Sequence, residues 1–200
     1  MGMSAIPQPE ITLFLLTRIS QSSVWGSMQK LTVSSSKDSS MALSVIEKSR
    51  HLLEKTRVMT LAVTENDLPW SSPVYFVYYD RQFYFFSDKN SRHIKWAEKN
   101  IHTSVSVFND SDILDEIFGF QMTGKIRKVR SIAQYAIVVK AYVTKFYFLV
   151  KIFGPQIFKN QNFFLEQFKS HLYGFQPGAV YLSDNSKQPS KRVSIDLNNL

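Results

Sequence analysis

Ser91, Arg92 and His93 stand together where an aromatic run, residues 83–86, gives way to the polar turn Ser87-Asp88-Lys89-Asn90. Ser91 reads as the first residue of a helix. A helix start leaves several backbone N–H groups without internal partners, at the positive end of the helix dipole. Arg92 adds a planar, permanently charged fork that matches two phosphate oxygens. His93 is a third donor, more readily protonated beside a dianion. Ser87, at the end of the preceding strand, faces the same corner. The chemistry these types offer together is capture of a phosphate. A helix capped by serine, with its charges solvated, is the plainer alternative that the same three residues satisfy. No Ser/His/Asp arrangement supplies a separate catalytic base. Of the remaining histidines, His51 has no metal-ligand spacing to another His, and His102 and His171 read as ordinary surface or core residues. No metal is expected.

The chain that must position these groups has 200 residues, enough for one domain with a real core. Sixteen Phe, nine Tyr and three Trp favour strands and packed interfaces, so a β-rich domain with an oligomer surface is expected. Cysteine is absent, which excludes disulfides, thiolate metal sites and cysteine nucleophiles. That composition suits a reducing compartment, and a cytoplasmic location is expected. The formal charge is +8, and residues 117–165 contain no acid but eight Lys and Arg, which equal the whole excess. Such a block can meet nucleic acid, a membrane surface or an anionic small molecule, or simply stay solvated. The basic residues are too sparse, and without a recognisable motif, to favour nucleic acid.

Residues 1–40 read as a disordered N-terminal extension, with Met28 or Met41 as candidate natural starts and "SSSKDSS" (34–40) as a polar linker. Its one apolar run, "ITLFLL" (11–16), is too short to span a bilayer. The folded domain is expected over 41–200. Ser44 and Glu47 form a capping box that opens a helix running to about Lys55. Strands follow over 57–63, 71–80 and 82–87, with a tight turn at Asp80-Arg81, then the helix from Ser91 and alternating strands over 103–108 and 118–129. Over 131–153, Ile132, Ala136, Val139, Val143, Phe146 and Val150 repeat at helical spacing behind a Ser131 cap. Lys140, Lys145 and Lys151 interrupt that run, which argues against a transmembrane span, and no membrane partner is expected. A second helix over 161–173 and strands over 179–183 and 191–197 complete the chain. The pattern is mainly β (α+β): a small antiparallel barrel with flanking helices.

Phe85-Phe86, then Ser87-Asp88, a short loop and Ser91-Arg92-His93, with Gln121 placed 29 residues after Arg92, resembles the pyridoxamine 5′-phosphate oxidase-like FMN-binding split barrels. That superfamily carries an aromatic pair, Thr-Asn, a loop and Ser-Arg-Lys at this spacing. The resemblance covers about 44–130 and the strand 179–185. It is strongest to an uncharacterised bacterial subgroup with Ser/Thr-Arg-His, to whose strands "TGKIRKV" (123–129) and "KAYVTKF" (140–146) are similar. It implies an antiparallel split β-barrel with flanking helices, and FMN bound between the subunits of a homodimer. By the same resemblance Ser72, Phe86, Ser87, Ser91, Arg92 and His93 hold the cofactor, and Gln121 contacts the flavin ring. The implied activity is FMN-dependent oxidation or reduction of a small molecule. A non-enzymatic flavin- or haem-binding module and a basic nucleic-acid-binding protein are the alternatives. Ser71-Ser72 and Val77 stand where the oxidase proper carries an arginine and a lysine, and Arg192 is the only late arginine. Trp70, Tyr75, Tyr78 and Trp96 read as core or dimer contacts rather than flavin-stacking residues.

Overall fold

The computed structural model describes residues 35–100, 102–160, 162–187 and 192–200. The extension expected over 1–40 lies outside them as far as residue 34. In chain order the elements are α1 (Ser35–Lys55), β1 (Val58–Glu65), β2 (Leu68–Tyr79), β3 (Gln82–Asp88), α2 (Arg92–Lys99), β4 (Thr103–Phe108) and β5 (Phe118–Lys128). Four helices follow, α3 (Ile132–Lys145), α4 (Phe148–Phe153), α5 (Gln156–Lys159) and α6 (Phe163–Phe168), then β6 (Ser170–Asp184) and β7 (Val193–Ser194).

The strands form one antiparallel sheet in the order β3-β2-β1-β4-β5-β6-β7, and β3 also pairs with β6. That last pairing closes six strands into a barrel, as the split-barrel reading expects. Two hairpins set the register of its first half. Asn66-Asp67 and Asp80-Arg81 both have positive φ at each central residue, the geometry of a two-residue turn whose twist matches the strands. Arg81, at φ 61°, is held there by donating to Asn198 Oδ1 at 2.8 Å.

Alternation decides what each face of the barrel does. Phe83 and Phe85 point inward with Leu61, Phe76, Phe120 and Phe175, all almost fully buried. The intervening Tyr84 and Phe86 point outward with Val77 into a second apolar layer under Tyr142, Val143 and Phe164. Among the described residues no helix is long and apolar enough to cross a membrane.

Five sequence expectations are corrected. The first helix begins at Ser35, so Ser44 lies inside it rather than at its N-cap, and residues 35–40 are helical rather than linker. The helix expected over 131–153 is two: α3 ends at Lys145, the backbone of Phe146 leaves the helical region at ψ 52°, and α4 starts at Phe148. Of the expected stripe Val139, Val143 and Phe146 are buried, together with Val138 and Tyr142, while Ile132 and Ala136 near the start of α3 are exposed. The helix expected over 161–173 stops at Phe168, where Lys169 turns left-handed at φ 51° and releases the chain into the fifteen-residue strand β6. Apolar runs that satisfy both periods cannot be told apart by pattern alone. The strand expected over 191–197 is only Val193–Ser194.

Candidate functional site

Ser87 continues the inward row of Phe83 and Phe85 and so ends it with a buried hydroxyl. The chain then turns at Asp88. Asp88 Oδ1 accepts from the Asn90 N–H at 2.8 Å, an Asx-turn, and Asp88 O accepts from the Ser91 N–H at 3.0 Å. Ser91 is the N-cap residue of α2 by backbone conformation, but its side chain makes no capping bond. Its Oγ donates instead to Asp88 O at 2.8 Å. The first N–H groups of α2 are therefore left without a side-chain acceptor, which is where an anion belongs. Ile94 and Ala97 bury the opposite face of α2, and Lys99 pairs with Glu65 to fix its far end on β1.

Ser87 Oγ lies 2.8 Å from His93 Nε2 and 3.1 Å from Ser91 Oγ, and Ser91 Oγ lies 3.3 Å from the same imidazole nitrogen. Three of the expected site residues thus form one network. Arg92 sits beside it on an aromatic shelf, with its guanidinium 4.2 Å from the Trp70 ring centroid and 5.5 Å from that of Trp96. No ion pair among the described residues involves Arg92. Trp70 Nε1 in turn donates to Ser72 Oγ at 2.8 Å, which ties the buried Ser72 to the same shelf.

Two expected residues lie elsewhere. The ring of Phe86 stacks on Phe164 at 3.7 Å and meets Tyr142 edge-on at 5.1 Å, in the layer between barrel and helices. Gln121 is exposed on the outer wall of β5 between Ser106 and Tyr181. It lines a cavity of about 420 Å³ with Thr60, Ser104, Tyr181 and Arg192, and none of Ser87, Ser91, Arg92 and His93 borders that cavity. Leu61 pairs with both Ser72 and Val105, and Val105 with Met122, so Ser72 and Met122 are level but three strands apart. At about 4.8 Å per strand that is roughly 14 Å, and Gln121 faces the other side of the wall.

Sequence reading missed two participants. Trp70, read as a core or dimer residue, is the shelf of Arg92. Tyr173 stacks on Phe85 at 5.9 Å, and its buried hydroxyl has no hydrogen-bond partner among the described residues. Burial first, then Glu98 and Asp88, push that phenol up to about 12, so it remains a donor. Neither carried a local signal, since Arg92–Trp70 and Phe85–Tyr173 join residues far apart in sequence.

The donor set fits a phosphoryl group: two hydroxyls, an imidazole, an uncommitted guanidinium and the free N–H groups of α2. The one carboxylate in the turn, Asp88, already accepts from Asn90. Burial lowers the His93 pKa below its ordinary 6.5, so the imidazole is neutral at pH 7 in the absence of an anion. Because the folded value lies below the unfolded one, this group's contribution to stability is complete above that value. It is lost as pH falls from there through the folded pKa. An NMR titration of His93 should give a midpoint below 6.5 without ligand and a higher one with inorganic phosphate. A midpoint unmoved by phosphate would separate His93 from any anion site.

Comparison with known proteins places the chain. The model of the family described as pyridoxamine 5′-phosphate oxidase matches residues 45–168. The UPF0306 protein PM1958 of Pasteurella multocida is 27% identical over 75 residues, a stretch covering 36% of this chain and 50% of that protein. The fold matches a haem-binding protein from Mycobacterium smegmatis with a TM-score of 0.58 at 13% identity, over 77% of this chain and 58% of that one. It matches a FAD-binding protein from Mesorhizobium loti at 0.50 and 17% identity, over 68% and 91% of the two chains. A Clostridium acetobutylicum protein related to general stress protein 26, of the pyridoxinephosphate oxidase family, matches at 0.52 and 13% identity, over 78% and 96%.

Proposed function

Because this chain belongs to the pyridoxamine 5′-phosphate oxidase family, we propose that it binds FMN at the β3–α2 corner and works as a flavin-dependent oxidoreductase on a small molecule. The observation that carries the reading is the Ser87–Ser91–His93 network under an uncapped helix start, with Arg92 in no ion pair among the described residues. When bound, the flavin supplies the hydride chemistry and the protein supplies position and electrostatics. Ser87 and Ser91 orient the phosphate, Arg92 swings from Trp70 to neutralise it, and His93 takes up a proton beside it. The FAD-binding and haem-binding proteins of the same fold support a flavin or haem ligand. The donor set of this corner favours the phosphorylated one.

Val77, which stands where the oxidase proper carries a lysine that grips the cofactor, is buried in the apolar layer under α3, so in this reading the charge on the phosphate falls to Arg92. Gln121 faces the outer wall, away from the corner, so we assign its flavin contact to a homodimer in which the partner subunit's Gln121 completes the site. Sedimentation of the FMN-loaded protein, followed at the flavin's visible absorption, should carry the colour with a species of twice 23.1 kDa. Colour moving with a single chain would rule out the shared site.

A further inference from the structure

The helices between β5 and β6 leave a second surface that flavin binding does not use. Tyr147, Phe148, Ile152, Phe158, Leu165 and Phe168 are each between 41% and 65% exposed, within one stretch of 22 residues. Their neighbours Ile157, Phe163 and Phe164 face the opposite way, into the layer against the barrel, so the exposed set is not a core left open. Phe148 and Ile152 are one helical turn apart on α4 and share its outer face, with Lys151 beside them. Phe168 lies 5.5 Å edge-on from Phe153, which brings the ends of α4 and α6 together. Large exposed apolar side chains gathered in this way mark an interaction surface.

The charges around them select the occupant. Lys151, Lys159 and Lys169 are all exposed, and none is in an ion pair among the described residues. From residue 117 to 169 the only acid is Glu166, and its Oε2 already accepts from Asn160 Nδ2 at 2.8 Å. A second copy of the chain is a poor occupant, because a two-fold contact would set these lysines near their own symmetry mates. Nucleic acid would bury the aromatic ridge against phosphates. Aromatic and aliphatic side chains interleaved with lysine instead match the headgroup level of an anionic bilayer, where the rings enter the interface and the ammonium groups meet lipid phosphates.

We propose that the α4–α6 face docks on the surface of anionic lipid bilayers. This departs from the expectation of no membrane partner, and it concerns attachment to one leaflet rather than passage through it. The test is flotation of the full chain with phosphatidylcholine vesicles, with and without about one third phosphatidylserine. Anionic vesicles should retain at least about tenfold more protein at about 0.1 M salt, and the gain should vanish near 1 M, where screening acts over about 3 Å. The variant Tyr147→Ser/Phe148→Ser/Ile152→Ser, made at exposed positions, should lose most of the binding. The charge-reversed Lys151→Glu/Lys159→Glu, which leaves the apolar residues in place, should bind anionic vesicles about tenfold less. Failure of the wild type to float, or both variants floating like the wild type, would overturn the proposal. So would a dimeric wild type whose triple variant sediments as a monomer, since the face would then be a subunit contact.

Discussion

Arg92→Ala should weaken FMN binding by at least about 30-fold and leave riboflavin binding unchanged. The reason lies in what Arg92 does without ligand. Its guanidinium rests on Trp70 at 4.2 Å and is in no ion pair among the described residues, next to an N-terminus whose serine side chain makes no capping bond. Removing one partner of a desolvated, hydrogen-bonded charge pair costs about 2–5 kcal/mol. The lower bound, at about 1.4 kcal/mol per decade, is the stated factor. Riboflavin has no phosphate and should not register the change. Arg81→Ala is the control, since that side chain is engaged with Asn198 and Asp80 in the β2–β3 turn. Equal FMN affinity for Arg92→Ala and wild type, by fluorescence titration, would leave Ser91-Arg92-His93 as a helix start and nothing more.

Phe85→Ala should cost about 3–5 kcal/mol of folding stability, the usual range for emptying a fully buried aromatic position. Phe85 has no exposed surface and stacks on Tyr173, in the row that ends at Ser87. For a domain of this size each kcal/mol moves the melting temperature by about 2–4 °C, so a fall of roughly 6–20 °C is expected. The loss should also reach the site, because the cavity opens beside Ser87 and the unpartnered Tyr173 hydroxyl. A melting temperature within about 2 °C of wild type would mean that Phe85 does not hold the barrel together.

The barrel was legible where one face alternates cleanly with the other. Residues 103–108 and 118–129 each show period two, and Asp80-Arg81 marks a hairpin between two aromatic strands, so these strands were readable locally. The start of α1 was not, because Ser35–Ser40 are poor helix formers and the capping box at Ser44 and Glu47 offered a better local start. The break between α3 and α4 was hidden because apolar residues continue through it. In the site, Ser87, Ser91 and His93 came together as their spacing across a strand end and a helix start requires. The same period-two rule, applied to Phe86, already places it on the opposite face from Ser87. The rule likewise sets Gln121 on the outer wall between inward Phe120 and Met122. The shelving of Arg92 on Trp70 joins residues 22 apart through β2 and α2, and no local pattern signals it.

Flavin binding is tested most directly on the protein as purified, by its visible spectrum together with mass spectrometry of whatever heat releases from it. A flavin spectrum and the mass of FMN are the expected result. A haem spectrum, or a protein that stays colourless after FMN is added and the excess removed, would contradict it.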